Sequence, residues 1–122
     1  MMKTDQEPKF ETFKLWWLKM ITGPLLIILL GIHLIVNHYL GSMDGLMNYA
    51  DVKRYFSQPI IPIIEFSLAA VVIVHALLGL RSIILDLNWS ASKQRKTDLG
   101  LLLIGAAMIG YALWLTLKIA LA

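Results

Sequence analysis

Residues 59–87 read PIIPIIEFSLAAVVIVHALLGLRSIILDL. A bilayer core takes about 20 helical residues to cross, and this run is longer than that. It does not alternate between apolar and polar residues, and it runs well past the ~10 residues of a barrel strand. A helix satisfies its own backbone in lipid, whereas an open strand does not. The stretch therefore reads as a membrane-spanning helix. Pro59 and Pro62 suit its first turn, where a missing N–H costs little.

Two further stretches read the same way: LWWLKMITGPLLIILLGIHLIVNHYL at 15–40 and LGLLLIGAAMIGYALWLTLKIAL at 99–121. Pro24 falls inside the first of them and should bend the helix or leave a carbonyl unpaired. The first stretch exceeds the apolar core of a signal peptide, and no small-residue cleavage site follows it. Hydrophobic residues make up 58% of the chain and charged ones 16%, with a mean hydropathy of +0.71. A soluble domain is roughly half apolar and a quarter charged. The expected fold is all-α and integral to the membrane. It is a single domain, 1–122, with three transmembrane helices that join a larger helical bundle.

Other classes fall away. The net charge of +3 is small and scattered, and the only basic cluster, KQRK, lies between two apolar runs, so nucleic acid is not a partner. The 122 residues include no cysteine. That excludes a disulfide scaffold, thiolate-held iron–sulfur clusters and covalent c-type haem.

Basic residues set the orientation. Lys3, Lys9, Lys14 and Lys19 flank the start of the first span; Arg81, Lys93, Arg95 and Lys96 lie at the end of the second and in the loop after it. Only Lys53, Arg54 and Lys118 fall on the other side. The positive-inside rule then places the N-terminus and second loop in the cytoplasm, and the 41–58 loop and C-terminus outside. Trp16, Trp17, Tyr39, Trp89 and Trp114 fall near the two interfaces, as aromatic belts do. The polar tail MMKTDQEPKFETF is a candidate docking segment for a soluble partner. In the third span Gly105, Ala106, Ala107 and Gly110 allow close helix approach, expected chiefly within the three-helix unit.

The polar residues inside the spans carry the chemistry, because ionisable groups in lipid mark function by default. His33 and His38 lie on the first helix and His75 on the second. Gly79 follows His75 by four residues, on the same helix face, and clears space for something flat. Arg81 lies about 9 Å nearer the cytoplasm, where it can meet a carboxylate such as a haem propionate or snorkel to the interface. Haem iron takes an imidazole on each face. Counted from the inner helix ends, His33 lies about 27 Å deep and His75 about 18 Å. Axial ligands of one iron lie only about 4 Å apart. Two haems at two depths, each completed by a histidine from another chain, fit that offset better than one shared iron. His38 points about 140° from His33 and suits a propionate contact, a quinone contact or interfacial polarity. Glu65 suits a proton relay, an outward quinone pocket, or an ion pair with Lys53 or Arg54. A transporter using Glu65 and His75 as a proton pair should also carry a mid-helix charge in the first or third span, and neither has one.

HALLGLRSIILDL at 75–87 resembles the second-helix motif His-x-x-x-Gly-(x)n-Asp of the membrane anchors of succinate dehydrogenase and fumarate reductase. HLIVNH at 33–38 resembles the end of the first helix in that family's di-haem cytochrome b anchors. The resemblance covers about half the chain. It implies a haem b-binding anchor subunit that passes electrons between an iron–sulfur subunit and membrane quinone, with menaquinone the expected type. The iron ligands would be His75 for the inner haem and His33 for the outer, two haems per complex, with Gly79, Arg81 and His38 around them. Implied partners are a second membrane-anchor subunit, an iron–sulfur subunit, a flavoprotein subunit and the lipid bilayer, in a prokaryotic cytoplasmic membrane. The chain carries no flavin fingerprint, so succinate oxidation itself is not expected on it. Anchors of this family often carry an arginine near the quinone, just before the x-[ST]-G step that is Ile21-Thr22-Gly23 here; Met20 stands in that place. The quinone candidates are therefore Lys19, Thr22, Trp17, Trp89 and Glu65. The alternative is a haem-free anchor that only tethers the catalytic subunits and shapes a quinone pocket.

Overall fold

The computed structural model describes residues 12–41 and 45–122. Among them the regular elements are four helices: α1 Phe13–Leu40, α2 Tyr49–Phe56, α3 Ile60–Asp86 and α4 Ala91–Ala120. Helices α1, α3 and α4 are each long and apolar enough to cross a membrane. The N-terminal tail, with Lys3 and Lys9, lies outside the described residues.

The helices stand in a row. Both α1 and α4 pack on α3, while α1 and α4 scarcely meet; the short α2 rests against α3 and α4. Little of the surface is hidden. Tyr55, Ile61, Ile73 and Leu78 are the buried apolar side chains, whereas Trp17, Ile27, Ile35, Ile83, Leu102 and Tyr111 stand exposed. In water such a surface would drive aggregation. In lipid it is the expected exterior, because hydrocarbon offers apolar side chains no worse a neighbour than protein does.

Local chemistry explains the helix ends. Pro62 sits in the first turn of α3, where its absent N–H would have had no helical acceptor. Asn88 takes φ 58° after α3 ends, a left-handed turn that asparagine tolerates better than most residues. Ser90 then caps α4 by accepting the Lys93 backbone N–H. Lys93, Arg95 and Lys96 therefore lie on the first turns of α4, not in a loop. In the 41–58 segment, read from sequence as a loop, Asn48 and Asp51 form a reciprocal capping box that starts α2. Pro24 lies inside an unbroken α1 and leaves the Met20 carbonyl without its usual donor.

Two contacts fix α4 on α3. At Gly105 an added Cβ would stand 2.7 Å from the Leu77 Cδ1. Gly110 meets nothing within 4 Å and Ala106 is exposed, so one residue of the small stripe, not the whole of it, makes the internal contact. Near the turn, Arg81 donates to Asp98 through Nε at 2.9 Å and Nη2 at 3.2 Å. Gln94 adds a third donor to Asp98, at 2.9 Å. Between α1 and α4, over α3, runs an apolar trough of about 550 Å³ whose polar residues are Arg81 and Asp98.

Gly105→Val is expected to push the free end of the Leu77 side chain aside and lower stability by about 1 kcal/mol, the low end of overpacking costs, while Gly110→Val changes it little; thermal unfolding in detergent micelles measures both. Asp98→Ala should cost about 1.5–3 kcal/mol, the scale of hydrogen bonds to a charged group, in the same assay.

Candidate functional site

Three polar bridges join α1 to α3 and establish that the two helices run antiparallel. Lys19 Nζ donates to Ser82 Oγ at 2.7 Å. Thr22 Oγ1 lies 2.8 Å from His75 Nδ1. His33 Nδ1 lies 2.8 Å from both carboxylate oxygens of Glu65. Low-numbered positions of α1 thus face high-numbered positions of α3, and the histidines fall on two tiers, called inner (Thr22, His75) and outer (His33, Glu65) after the orientation expected from the basic residues.

In the inner tier the network assigns the proton. The Thr22 hydroxyl donates to the Lys19 carbonyl at 3.0 Å. A hydroxyl has one proton to give, so it accepts from His75, and His75 carries its proton on Nδ1. The Nε2 lone pair then points away from this bond and has no hydrogen-bond partner among the described residues. Thr22 is buried, and the ring packs beside Gly23, where an added Cβ would make an ordinary contact with His75 Cε1 at 3.6 Å.

In the outer tier the Glu65 carboxylate takes the His33 Nδ1–H, and Nε2 again has no hydrogen-bond partner among the described residues. Tyr55 reaches in from α2 and donates its hydroxyl to Glu65 Oε1 at 2.8 Å. Tyr55 is only 2% exposed. Burial, reinforced by the Glu65 carboxylate, pushes its phenol well above the ordinary range, so it remains a proton donor at this position. Glu65 does not pair with Lys53 or Arg54, as one sequence reading had it. Arg54 instead donates to the Gly41 carbonyl at 3.0 Å and lies 3.5 Å from Asp51.

The pairings give the depth directly. At 1.5 Å per residue, Thr22 to His33 measures about 16 Å and Glu65 to His75 about 15 Å along the bundle. The count from estimated helix ends gave about 9 Å; cross-helix bridges fix the register and remove that dependence on the ends. One iron cannot take both imidazoles. Nor can Glu65 and His75 form a proton pair, since they stand on different tiers.

The remaining sequence candidates separate. Gly79 has open space where a Cβ would go. The Arg81 fork is occupied by Asp98, but its Nη1 is buried without a partner among the described residues, and that N–H is what remains for an anionic group. His38 is exposed at the outer end of α1, its ring edge-on to Tyr39 at 5.3 Å. Trp17 belongs to an aromatic cluster with Phe13 and Trp16, and Trp89 carries Lys93 over its ring at 4.0 Å. Lys19 and Thr22 share the inner tier while Glu65 is in the outer one, so the five quinone candidates do not line one pocket. Sequence reading missed Tyr55, Asp98 and Gln94. Only the i, i+4 spacing of Gln94 and Asp98 on a helix signalled any of these bonds.

No three His, Asp or Glu side chains cluster as a metal cage among the described residues. A haem iron needs only axial donors from protein. An imidazole with its Nδ1–H fixed by an oxygen acceptor and its Nε2 free is the usual form of a metal-ligating histidine, and both tiers present it. The donor set therefore fits one haem position per tier, which His75 and His33 would supply.

A family model described as succinate dehydrogenase/fumarate reductase transmembrane subunit matches residues 6–117. A succinate dehydrogenase hydrophobic membrane anchor subunit of Archaeoglobus fulgidus is 35% identical over 79 residues, which is 65% of this chain and 66% of that protein. The chain thus spans just under two thirds of that relative's length. No solved structure matches. With three helices fit to cross a bilayer and a family match over most of its length, this multi-pass membrane protein belongs to the succinate dehydrogenase/fumarate reductase transmembrane-subunit family.

Proposed function

We propose that the chain is a haem b-binding anchor subunit of a succinate:quinone oxidoreductase, passing electrons between an iron–sulfur subunit and a membrane quinone. The observation that carries this is the pair of intramembrane imidazoles. Each is fixed through Nδ1, each is open at Nε2, and they stand about 15 Å apart in depth. A haem b bound at either tier supplies one-electron storage. His75 would hold the inner position and His33 the outer, and histidines of a second anchor subunit would complete the axial pairs. Gly79 leaves room beside the inner ring, and the free Arg81 Nη1 is suited to a propionate. The exposed basic side chains Lys93, Arg95 and Lys96 on the first turns of α4 would face the docked catalytic subunits. On this reading the N-terminus and the α3–α4 turn would lie on the cytoplasmic side of a prokaryotic membrane. The quinone, with menaquinone the expected type, would bind near that side, where Lys19 and Thr22 contribute from α1.

A second reading has its own supporting observation. Each ring already has a hydrogen-bond partner within the chain, which is enough to seat it in lipid without a cofactor. On that reading the chain is a haem-free anchor that tethers the catalytic subunits.

Reduced-minus-oxidised spectra of the purified complex separate the two. Haem b bands are expected, with His75→Ala removing one spectral component and His33→Ala the other. Loss of the same single component in both variants would refute the two-haem assignment. A wild-type complex without b-type bands would leave the haem-free anchor.

A further inference from the structure

The two imidazoles are held by acceptors of unlike charge. Thr22 offers His75 a neutral hydroxyl oxygen. Glu65 offers His33 two carboxylate oxygens, both at 2.8 Å. Bonding the outer N–H of a ligating imidazole to a carboxylate fixes the ring and raises its basicity. A charge-assisted bond is about twice as strong as a neutral one, and a low local dielectric enlarges the difference. The Glu65 side chain is 15% exposed and that of His33 25%, so water screens the pair weakly.

Tyr55 acts on the same carboxylate from the other side. Its O–H donates to Oε1, one of the two oxygens that face His33. Every share of charge drawn toward the phenol is withdrawn from the imidazole.

We infer that Glu65 and Tyr55 are an opposed pair of positioning residues that set how strongly His33 donates electrons to an iron at its Nε2: Glu65 raises the donation and Tyr55 restrains it. This rests on the haem reading above. Thr22 plays the corresponding part for His75 without a charge, fixing the ring and its tautomer. More electron donation stabilises the oxidised metal, so each residue has a signed effect on the midpoint potential of its own tier.

The test is a potentiometric titration of the haem bands in the intact purified complex, with haem content per complex measured for every variant. Glu65→Gln keeps an acceptor but removes the charge, and it should shift one component to higher potential while the other stays in place. Tyr55→Phe frees the carboxylate and should shift that same component to lower potential. Thr22→Val should move only the other component, by less, and Thr22→Ser should restore it. A merely structural role for Glu65 and Tyr55 predicts shifts of one sign, or none, on breaking either contact, and either result overturns the inference while leaving the haem reading intact. If Glu65→Gln fails to retain haem, Tyr55→Phe carries the test alone: a downward shift supports the inference and an unchanged potential overturns it. A wild-type complex with no haem bands removes the underlying reading, a result distinct from all of these.

Discussion

Lipid supplies no hydrogen bonds, and that constraint organises the chain. Three long helices carry apolar side chains outward almost everywhere, so apolar contact alone does little to select one packing over another. Register is set where polar groups have to find each other: Lys19 with Ser82, Thr22 with His75, His33 with Glu65, and Arg81 with Asp98. Sliding α1 along α3 by one turn would separate every partner on that interface. An unsatisfied polar group in hydrocarbon costs several kcal/mol, so these few bonds specify the arrangement more sharply than the surrounding leucines and isoleucines do.

The same bonds hold the chemistry. Both histidines lie between α1 and α3 because their Nδ1 atoms join those helices, and joining them leaves each Nε2 unused. Structure and proposed ligation thus draw on different atoms of one ring. Among the described residues α4, the third span, contributes no bond to either tier. It is fixed to α3 by Gly105 and the Arg81–Asp98 pair, and it leaves an apolar trough between itself and α1.

Much of this was legible in the sequence, for physical reasons. Hydropathy over 20 residues is a strong signal, and it located all three spans. The intramembrane histidines stood out because lipid makes such residues rare, and a depth count already separated them. What stayed hidden were partners brought together only by folding. Glu65 had several plausible neighbours along the chain, and the one it takes, His33, depends on helix register. Tyr55 sits on an eight-residue helix that is too short and too polar for a hydropathy scan and that is begun by the Asn48–Asp51 capping box. Lys93, Arg95 and Lys96 looked like loop residues because charge is a poor guide to where an aqueous helix turn joins a lipid one.

The seat of Tyr55 also bears on how the outer tier communicates with its surroundings. Its ring is packed out of water and closes the Glu65 carboxylate from the side on which α2 lies. On that side the carboxylate meets the phenol O–H in place of a water molecule.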